Sequence, residues 1–274
     1  MTFHDLVKTE LELKDGIWYS GQLSSVSFPE DGYDFCFEIE ENSFWFKHRN
    51  NCIVEALNIC KTSGPIFDIG GGNGFVSMAM EKAGFETILV EPGLSGISNA
   101  KQRGLRYLIC STFEDAGFKA DFLSNIGLFD VVEHVDSDQE FLQNVFNCLR
   151  PGGKIIITVP AYQFLWSKED IEAGHFRRYS INSIQKKLKA VGFKIKYKTY
   201  FFSFLPIPIF LFRTLPGKLG LNKKSNDISK HKKEHENSGI LSKILNIFLN
   251  WELSLIKNKK RILFGGSCLI VGEK

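Results

Sequence analysis

The run Ile66-Phe67-Asp68-Ile69-Gly70-Gly71-Gly72-Asn73-Gly74 constrains this chain more than any other stretch. A short apolar strand pattern enters a turn with glycine at four of five positions. Glycine has no Cβ and tolerates positive φ, so such a turn lets backbone pass close to a ligand. A helix pattern (Phe75, Met78, Met80) follows and ends at Gly84. Two templates fail here. The dinucleotide fingerprint G-x-G-x-x-G finds Gly70 and Gly72 but meets Phe75 at its third glycine, which argues against a nicotinamide enzyme. No Gly-Lys-Ser/Thr follows, so this is not a Walker phosphate loop either.

The neighbouring pattern sets the fold. Strand patterns at 87–90, 107–110, 126–129, 154–159 and 193–201 alternate with helix patterns through Ile53, Leu57 and Cys60, and through Ile184, Leu188 and Val191. Such alternation predicts βαβ units and a mostly parallel sheet with helices on both faces. The spacing gives an amino-terminal extension over 1–51 and an α/β domain over 52–274, into which an apolar loop and basic linker are inserted at 203–239.

Glu91 closes the second strand pattern, 23 positions after Asp68 (91 − 68), near the interval at which an acid meets ribose hydroxyls. A carboxylate accepts from two vicinal hydroxyls at once; the bland alternative is a solvated strand end. With these residues the chain resembles the class I S-adenosylmethionine-dependent methyltransferases. The likeness extends through Ser111-Thr112-Phe113-Glu114-Asp115 and Leu149-Arg150-Pro151-Gly152-Gly153, over roughly residues 52–200. It implies a Rossmann-like seven-stranded sheet with the last strand antiparallel, for which 265–271 is the candidate. It further implies S-adenosylmethionine as cofactor and S-adenosylhomocysteine as product. By the same likeness Asp68, Gly70, Gly72, Asn73, Gly74 and Glu91 hold the cofactor, with Thr112 and Phe113 at the adenine and Phe129 and Asp130 beside it. Phe113 is equally readable as core filling.

Asp130-Val131-Val132-Glu133-His134-Val135 follows the fourth strand, at the carboxyl edge where open α/β sheets bind ligands. No Asn/Asp-Pro-Pro-aromatic tetrad and no Pro-Cys nucleophile stands here, which excludes base- and glutamine-directed methylation. The Glu133-His134 pair resembles O-methyltransferases of the quinone-biosynthesis type. A hydroxyl nucleophile gains from a base titrating near neutrality, so His134 and His175 are the catalytic candidates. His134 is as readily a structural histidine. Trp166-Ser167-Lys168-Glu169-Asp170 and His175-Phe176-Arg177-Arg178-Tyr179 resemble a bacterial methyltransferase subgroup in which these loops line the acceptor pocket. Trp45, Arg49, Arg177, Arg178 and Tyr179 are the substrate-binding candidates. Ion pairing of the arginines with Asp170, Glu169 or Glu172 is the competing reading, and the aromatic run 44–46 would form a lid or a buried staple.

A formal charge of +3 from 34 basic and 31 acidic residues gives no reason to expect nucleic acid as a partner. The six cysteines lack metal-ligand spacing, so they read as reduced core thiols and no metal is expected. The first residues show no secretory pattern, and no apolar run is long enough to span a bilayer, so a cytoplasmic location is expected. Residues 201–215 carry many aromatic and aliphatic side chains interrupted by Pro206 and Pro208, and a lysine-rich stretch follows. Burial within the fold is the favoured reading and peripheral membrane contact the second. The expected activity is methyl transfer to a small or lipid-like acceptor at oxygen. A soluble phenol or acid as acceptor, and cofactor binding without catalysis, are the alternatives.

Overall fold

The computed structural model describes residues 6–22, 24, 27–29, 31–218 and 240–274. Its sheet joins β1 (Leu11–Lys14), β2 (Ile17–Ser20), β3 (Ile66–Ile69), β4 (Thr87–Val90), β5 (Leu108–Cys110), β6 (Leu123–Phe129), β7 (Leu149–Pro160), β8 (Lys194–Phe201) and β9 (Ser267–Glu273) in the order β1-β2-β5-β4-β3-β6-β7-β9-β8. β3, β4, β5, β6 and β7 pair in parallel, while β9 runs antiparallel to both β7 and β8. Every residue of β3, β4 and β6 is buried, as strands covered by helices on both faces must be.

The seven expected strands are present, and two more extend the sheet to nine. β1 and β2 turn tightly at Asp15 (φ 49°) and Gly16 (φ 77°), and β2 then pairs in parallel with β5. Two left-handed residues in a two-residue loop match the twist of a hairpin. The helix Phe44–Ile59 is capped by Ser43 and runs unbroken across residues 51 and 52.

A second correction concerns the apolar stretch, which is helical where an irregular loop is expected. Pro206–Ile209, a π-helical turn over Phe210–Thr214 and Leu215–Lys218 follow one another without a gap. Pro206 and Pro208 fall in the first turn, where backbone N–H groups have no acceptor within the helix anyway. The π register precedes Pro216, whose missing N–H and bulky ring disrupt an ordinary turn. Within 201–215, burial is the outcome for Phe201, Phe202, Pro206 and Thr214. Ile207, Leu211, Phe212 and Leu215 are exposed, Phe212 to 77%. The lysines of the basic linker from 219 to 239 lie outside the described residues.

The carboxyl-terminal helix Ile240–Lys257 puts Leu249 and Ile256 into one apolar cluster with Ile53 and Leu57 of helix Phe44–Ile59 and with Ile156, Leu269 and Val271 of the sheet. Within that cluster lies a buried ion pair, His48 Nε2 to Glu252 Oε2 at 3.0 Å.

Candidate active site

The carboxyl ends of β3, β4 and β6 open into a cavity of about 750 Å³. Gly70 and Gly72 both have positive φ, 66° and 54°. A Cβ on Gly70 would stand 2.9 Å from Val131, so the turn packs tightly below. A Cβ on Gly72 would meet nothing within 4 Å, because this peptide faces the open space. Asp68 is fully buried; Ser77 donates to its Oδ2 at 2.7 Å, and its Oδ1 has no partner. Burial pushes Asp68 up to about 6, with the Ser77 hydrogen bond and the Arg49 charge offsetting only part of that.

Glu91 anchors the turn from the next strand. Gly72 N–H donates to its Oε2 at 2.8 Å, and Gly93 N–H and the Tyr33 hydroxyl each donate to its Oε1 at 2.7 Å. Tyr33 comes from the helix Asp31–Glu40, and no local sequence signal pointed to it. Its ring lies where a side chain at Gly93 or Gly96 would stand, so those two glycines make its seat. Asn73 adds a second tie, donating to the Tyr33 carbonyl at 2.8 Å. The Ser111 hydroxyl is another buried group without a partner on this wall.

Past β6, Asp130 takes a left-handed conformation (φ 59°) and pairs with Arg49 at 2.8 Å. Arg49 also lies over the rings of Trp45 and Phe46. Glu133 is buried and both its oxygens lack partners. Burial, then the charge of Asp130, pushes Glu133 well above the usual carboxylate range. His134 and His175 meet edge to face, with ring centroids 4.7 Å apart. Burial and the neighbouring His175 hold His134 down to about 4, so it is neutral at ordinary pH. His175 Nδ1 lies 2.8 Å from Asp170 Oδ1. Burial alone would raise Asp170, yet hydrogen bonds from His175 and Arg178 hold it at about 2.

The cavity therefore gathers Asp68, Gly70, Gly72, Asn73, Glu91, Thr112, Phe113, Phe129, Asp130, His134 and His175, with Trp45 and Arg49 from helix Phe44–Ile59. Phe113 also packs on Phe118 and Phe141, so lining and core filling coexist in one ring. Gly74 is not at the cavity; it begins helix Phe75–Lys82, and a Cβ there would strike Leu105 at 2.5 Å. Arg177, Arg178 and Tyr179 do not line the cavity, contrary to expectation. The Arg178 Nε donates to buried Asp170 at 2.7 Å, the ion pair weighed above as the alternative. Arg177 pairs with Asp136 and Asp138, and the buried Tyr179 hydroxyl donates to Asp138 at 2.6 Å. These three side chains brace the loops while His175 reaches the cavity.

Strand order and glycine turn define a Rossmann-like enzyme for a nucleoside cofactor. The methyltransferase-domain family matches residues 47–198, more than half of the chain, and the chain belongs to it. It is an S-adenosylmethionine-dependent methyltransferase. The mitochondrial ubiquinone biosynthesis O-methyltransferase of Rattus norvegicus is 26% identical over 102 residues, 34% of this chain and 30% of that protein. The ubiquinone biosynthesis O-methyltransferase of Rickettsia felis is 28% identical over 99 residues, 34% of this chain and 40% of that protein. The matched stretch thus spans less than half the length of these relatives. Among solved structures, an S-adenosylmethionine-dependent methyltransferase from Thermotoga maritima shares the fold with a TM-score of 0.54 at 17% identity, covering 89% of this chain and 95% of that one. Phosphoethanolamine N-methyltransferase 2 of Haemonchus contortus, solved with S-adenosylmethionine, gives 0.56 at 17% identity over 90% of this chain and 57% of that one. The residues present suit this cofactor. The unpaired Asp68 Oδ1 can accept from an ammonium, the Gly72 peptide leaves room for close approach, and the Ser111 hydroxyl still lacks a partner. No described helix is long and apolar enough to cross a membrane.

Proposed function

We propose that the protein methylates a hydroxyl of a small, apolar, lipid-like acceptor. The observation that carries this reading is the Asp170–His175 dyad set against His134 in the wall of the cofactor cavity. An ionised Asp170 only accepts, so His175 holds its proton on Nδ1 and presents the lone pair of Nε2. That lone pair takes the hydroxyl proton as the bond to carbon forms. When bound, S-adenosylmethionine supplies the methyl group, and its carbon–sulfur bond breaks with the electron pair left on sulfur. Trp45, Arg49 and Asp130 line the cavity, and the Arg49–Asp130 pair fixes that wall against which an acceptor would be aligned. In the same reading Asp68 holds the cofactor ammonium, Glu91 faces its ribose, and Thr112 and Phe113 flank the adenine.

The acceptor class follows from the surface. Ile207, Leu211, Phe212 and Leu215 are exposed along one helical segment, and the lysine-rich stretch from 218 follows it in sequence. Apolar side chains beside basic ones bind the interface of anionic bilayers. An acceptor embedded in such a bilayer would be taken up from it. The test is transfer of labelled methyl from the cofactor to a panel of prenylated phenols, water-soluble phenols and amines. Labelling of the prenylated phenols is expected; labelling of amines alone would overturn the hydroxyl assignment. Binding to anionic vesicles is expected to fall at least tenfold in Leu211→Ser/Phe212→Ser, and equal binding by this variant would remove the membrane from the account.

Cofactor affinity should depend on pH through Asp68. The fold raises its pKa to about 6, so the empty site holds a protonated carboxyl below that pH and a carboxylate above it. An ammonium pairs with the carboxylate only. Affinity for S-adenosylhomocysteine is therefore expected to be highest above pH 6 and to fall by up to about tenfold per unit below it. The Asp68→Asn variant should bind more weakly and lose this slope. Calorimetric titration from about pH 5 to about pH 7.5 checks both, and a flat wild-type profile would contradict the role given to Asp68.

A further inference from the structure

Glu91 is more heavily engaged than an acid waiting for a diol. A carboxylate offers about four lone-pair sites, two on each oxygen. The Gly72 N–H takes one on Oε2, while the Gly93 N–H and the Tyr33 hydroxyl take both on Oε1. Two vicinal hydroxyls need two sites, and at most one, on Oε2, is left to them. The Tyr33 contact is built into the fold. Its ring fills the space where side chains at Gly93 and Gly96 would stand, and a Cβ on Gly96 would lie 2.7 Å from it. Phe28 packs edge to face on the same ring, with centroids 5.0 Å apart. Asn73 Nδ2 donates to the Tyr33 carbonyl at 2.8 Å, and Asn99 Nδ2 donates to Asn73 Oδ1 at 3.0 Å. Tyr33, Gly72 and Glu91 line one cavity.

We propose that Tyr33 is a second ribose-reading residue of the cofactor site: its phenol oxygen accepts one hydroxyl of the nucleoside, and Glu91 Oε2 accepts the other. The chemistry follows from the proton already spent. With that proton directed at Glu91 Oε1, the phenol offers only lone pairs to anything else that meets it. A ribose hydroxyl is a donor such an oxygen can take, and the carboxylate behind the phenol strengthens it as an acceptor. The Gly72 peptide that ties Oε2 faces open space, so a ligand can reach that oxygen too. A pair of acceptors on a buried wall selects a ribonucleoside, because a ligand missing either hydroxyl leaves one oxygen unsatisfied. Tyr33 thereby deepens the cofactor reading and rests on it, since it meets a ribose only if Glu91 faces one.

The test is calorimetric titration of the intact protein with S-adenosylhomocysteine and with two analogues, each lacking one of the ribose hydroxyls. Tyr33→Phe keeps the ring in its seat and removes only the phenol oxygen. It should bind S-adenosylhomocysteine about three- to tenfold more weakly than wild type. Wild type should bind each analogue weaker than the parent compound by a similar factor, about three- to tenfold. For one of the two analogues the difference between wild type and Tyr33→Phe should vanish to within about twofold, because the missing hydroxyl and the missing phenol belong to one contact. Gly96→Ala shifts the phenol without deleting it and should reproduce this pattern. Equal or tighter binding of S-adenosylhomocysteine by Tyr33→Phe overturns the proposal, the tighter case by showing that phenol and ribose compete for Glu91. So does a loss that persists unchanged with both analogues, which would reflect the packing of helix Asp31–Glu40 alone. In either case, discrimination against the analogues by wild type leaves the ribose reading of Glu91 standing. Equal binding of all three ligands by wild type would instead remove the ribose from this wall, and both assignments with it.

Discussion

His175→Ala should lower kcat by about 10²- to 10⁴-fold while leaving the affinity for S-adenosylhomocysteine within twofold, roughly 0.4 kcal/mol. The split follows from the geometry. His175 lies against His134 and Asp170, whereas the turn and Glu91 hold one another through Gly72. On the proposed function, removing the imidazole deletes the group that takes the proton and leaves the turn and Glu91 untouched. Asp170→Asn should cost less in kcat. It leaves the ring in place but offers an amide to Nδ1, and it removes the negative charge that faces Arg178. Its signature is an altered pH profile. Single-turnover rates with saturating labelled cofactor separate the two sides. Full activity in His175→Ala would remove this cluster from the chemistry, and a large loss of cofactor affinity would show that the two sides of the cavity are not independent.

The glycine turn and its tie to Glu91 were legible in the sequence because their determinants are local. Glycine spacing after β3, the acid at the end of β4 and the absence of a third glycine at Phe75 all lie within 24 residues. The wall around His134 and His175 was legible only in part. His134 and His175 could be named by residue type, but their meeting, the orphaned Glu133 and the Asp170 behind His175 depend on two loops converging after β6 and β7. Tyr33 was invisible for the same reason, since its partner Glu91 is 58 positions away. The twin arginines misled because a strong donor pattern does not say whether a substrate or a neighbouring carboxylate satisfies it; here Asp170, Asp136 and Asp138 do. The amino-terminal hairpin is a different kind of miss. Asp15-Gly16 between two four-residue strand patterns is a local turn signal, and the irregular aromatic composition around it concealed it. The extra strands matter for the site, since β2 and the segment after it lead to Ser27 and Tyr33 in the cavity wall.

Glu252→Ala should destabilise the protein by about 3–5 kcal/mol, lowering Tm by on the order of 10 °C. Glu252 is fully buried on the carboxyl-terminal helix and has three partners: His48 at 3.0 Å, the Phe202 N–H at 2.9 Å and the Ser203 N–H at 2.5 Å. Truncation leaves the two N–H groups without this acceptor and His48 with only the weak Cys52 Sγ contact at 3.5 Å, beside the apolar cluster that joins this helix to helix Phe44–Ile59. Phe202 is a non-glycine residue at φ 57°, a conformation that local preference does not supply, so the carboxylate is part of what holds the chain at the end of β8. Burial alone would raise the Glu252 pKa, but the His48 and Ser203 hydrogen bonds lower it below 4.5. With the folded value depressed, this contribution is present above about pH 4.5 and is lost as acid protonates the group. Chemical denaturation at neutral pH and again near pH 3 measures it: the gap between wild type and variant should shrink in acid. The effect reaches the site through one ring, because Trp45 stacks on Phe202 at 5.7 Å and stands one turn from Arg49 on helix Phe44–Ile59. The variant should therefore also raise the acceptor KM more than it changes cofactor affinity. A destabilisation under about 1 kcal/mol would show that water or a rearranged loop satisfies the three donors, and that helix Phe44–Ile59 is held by apolar packing alone.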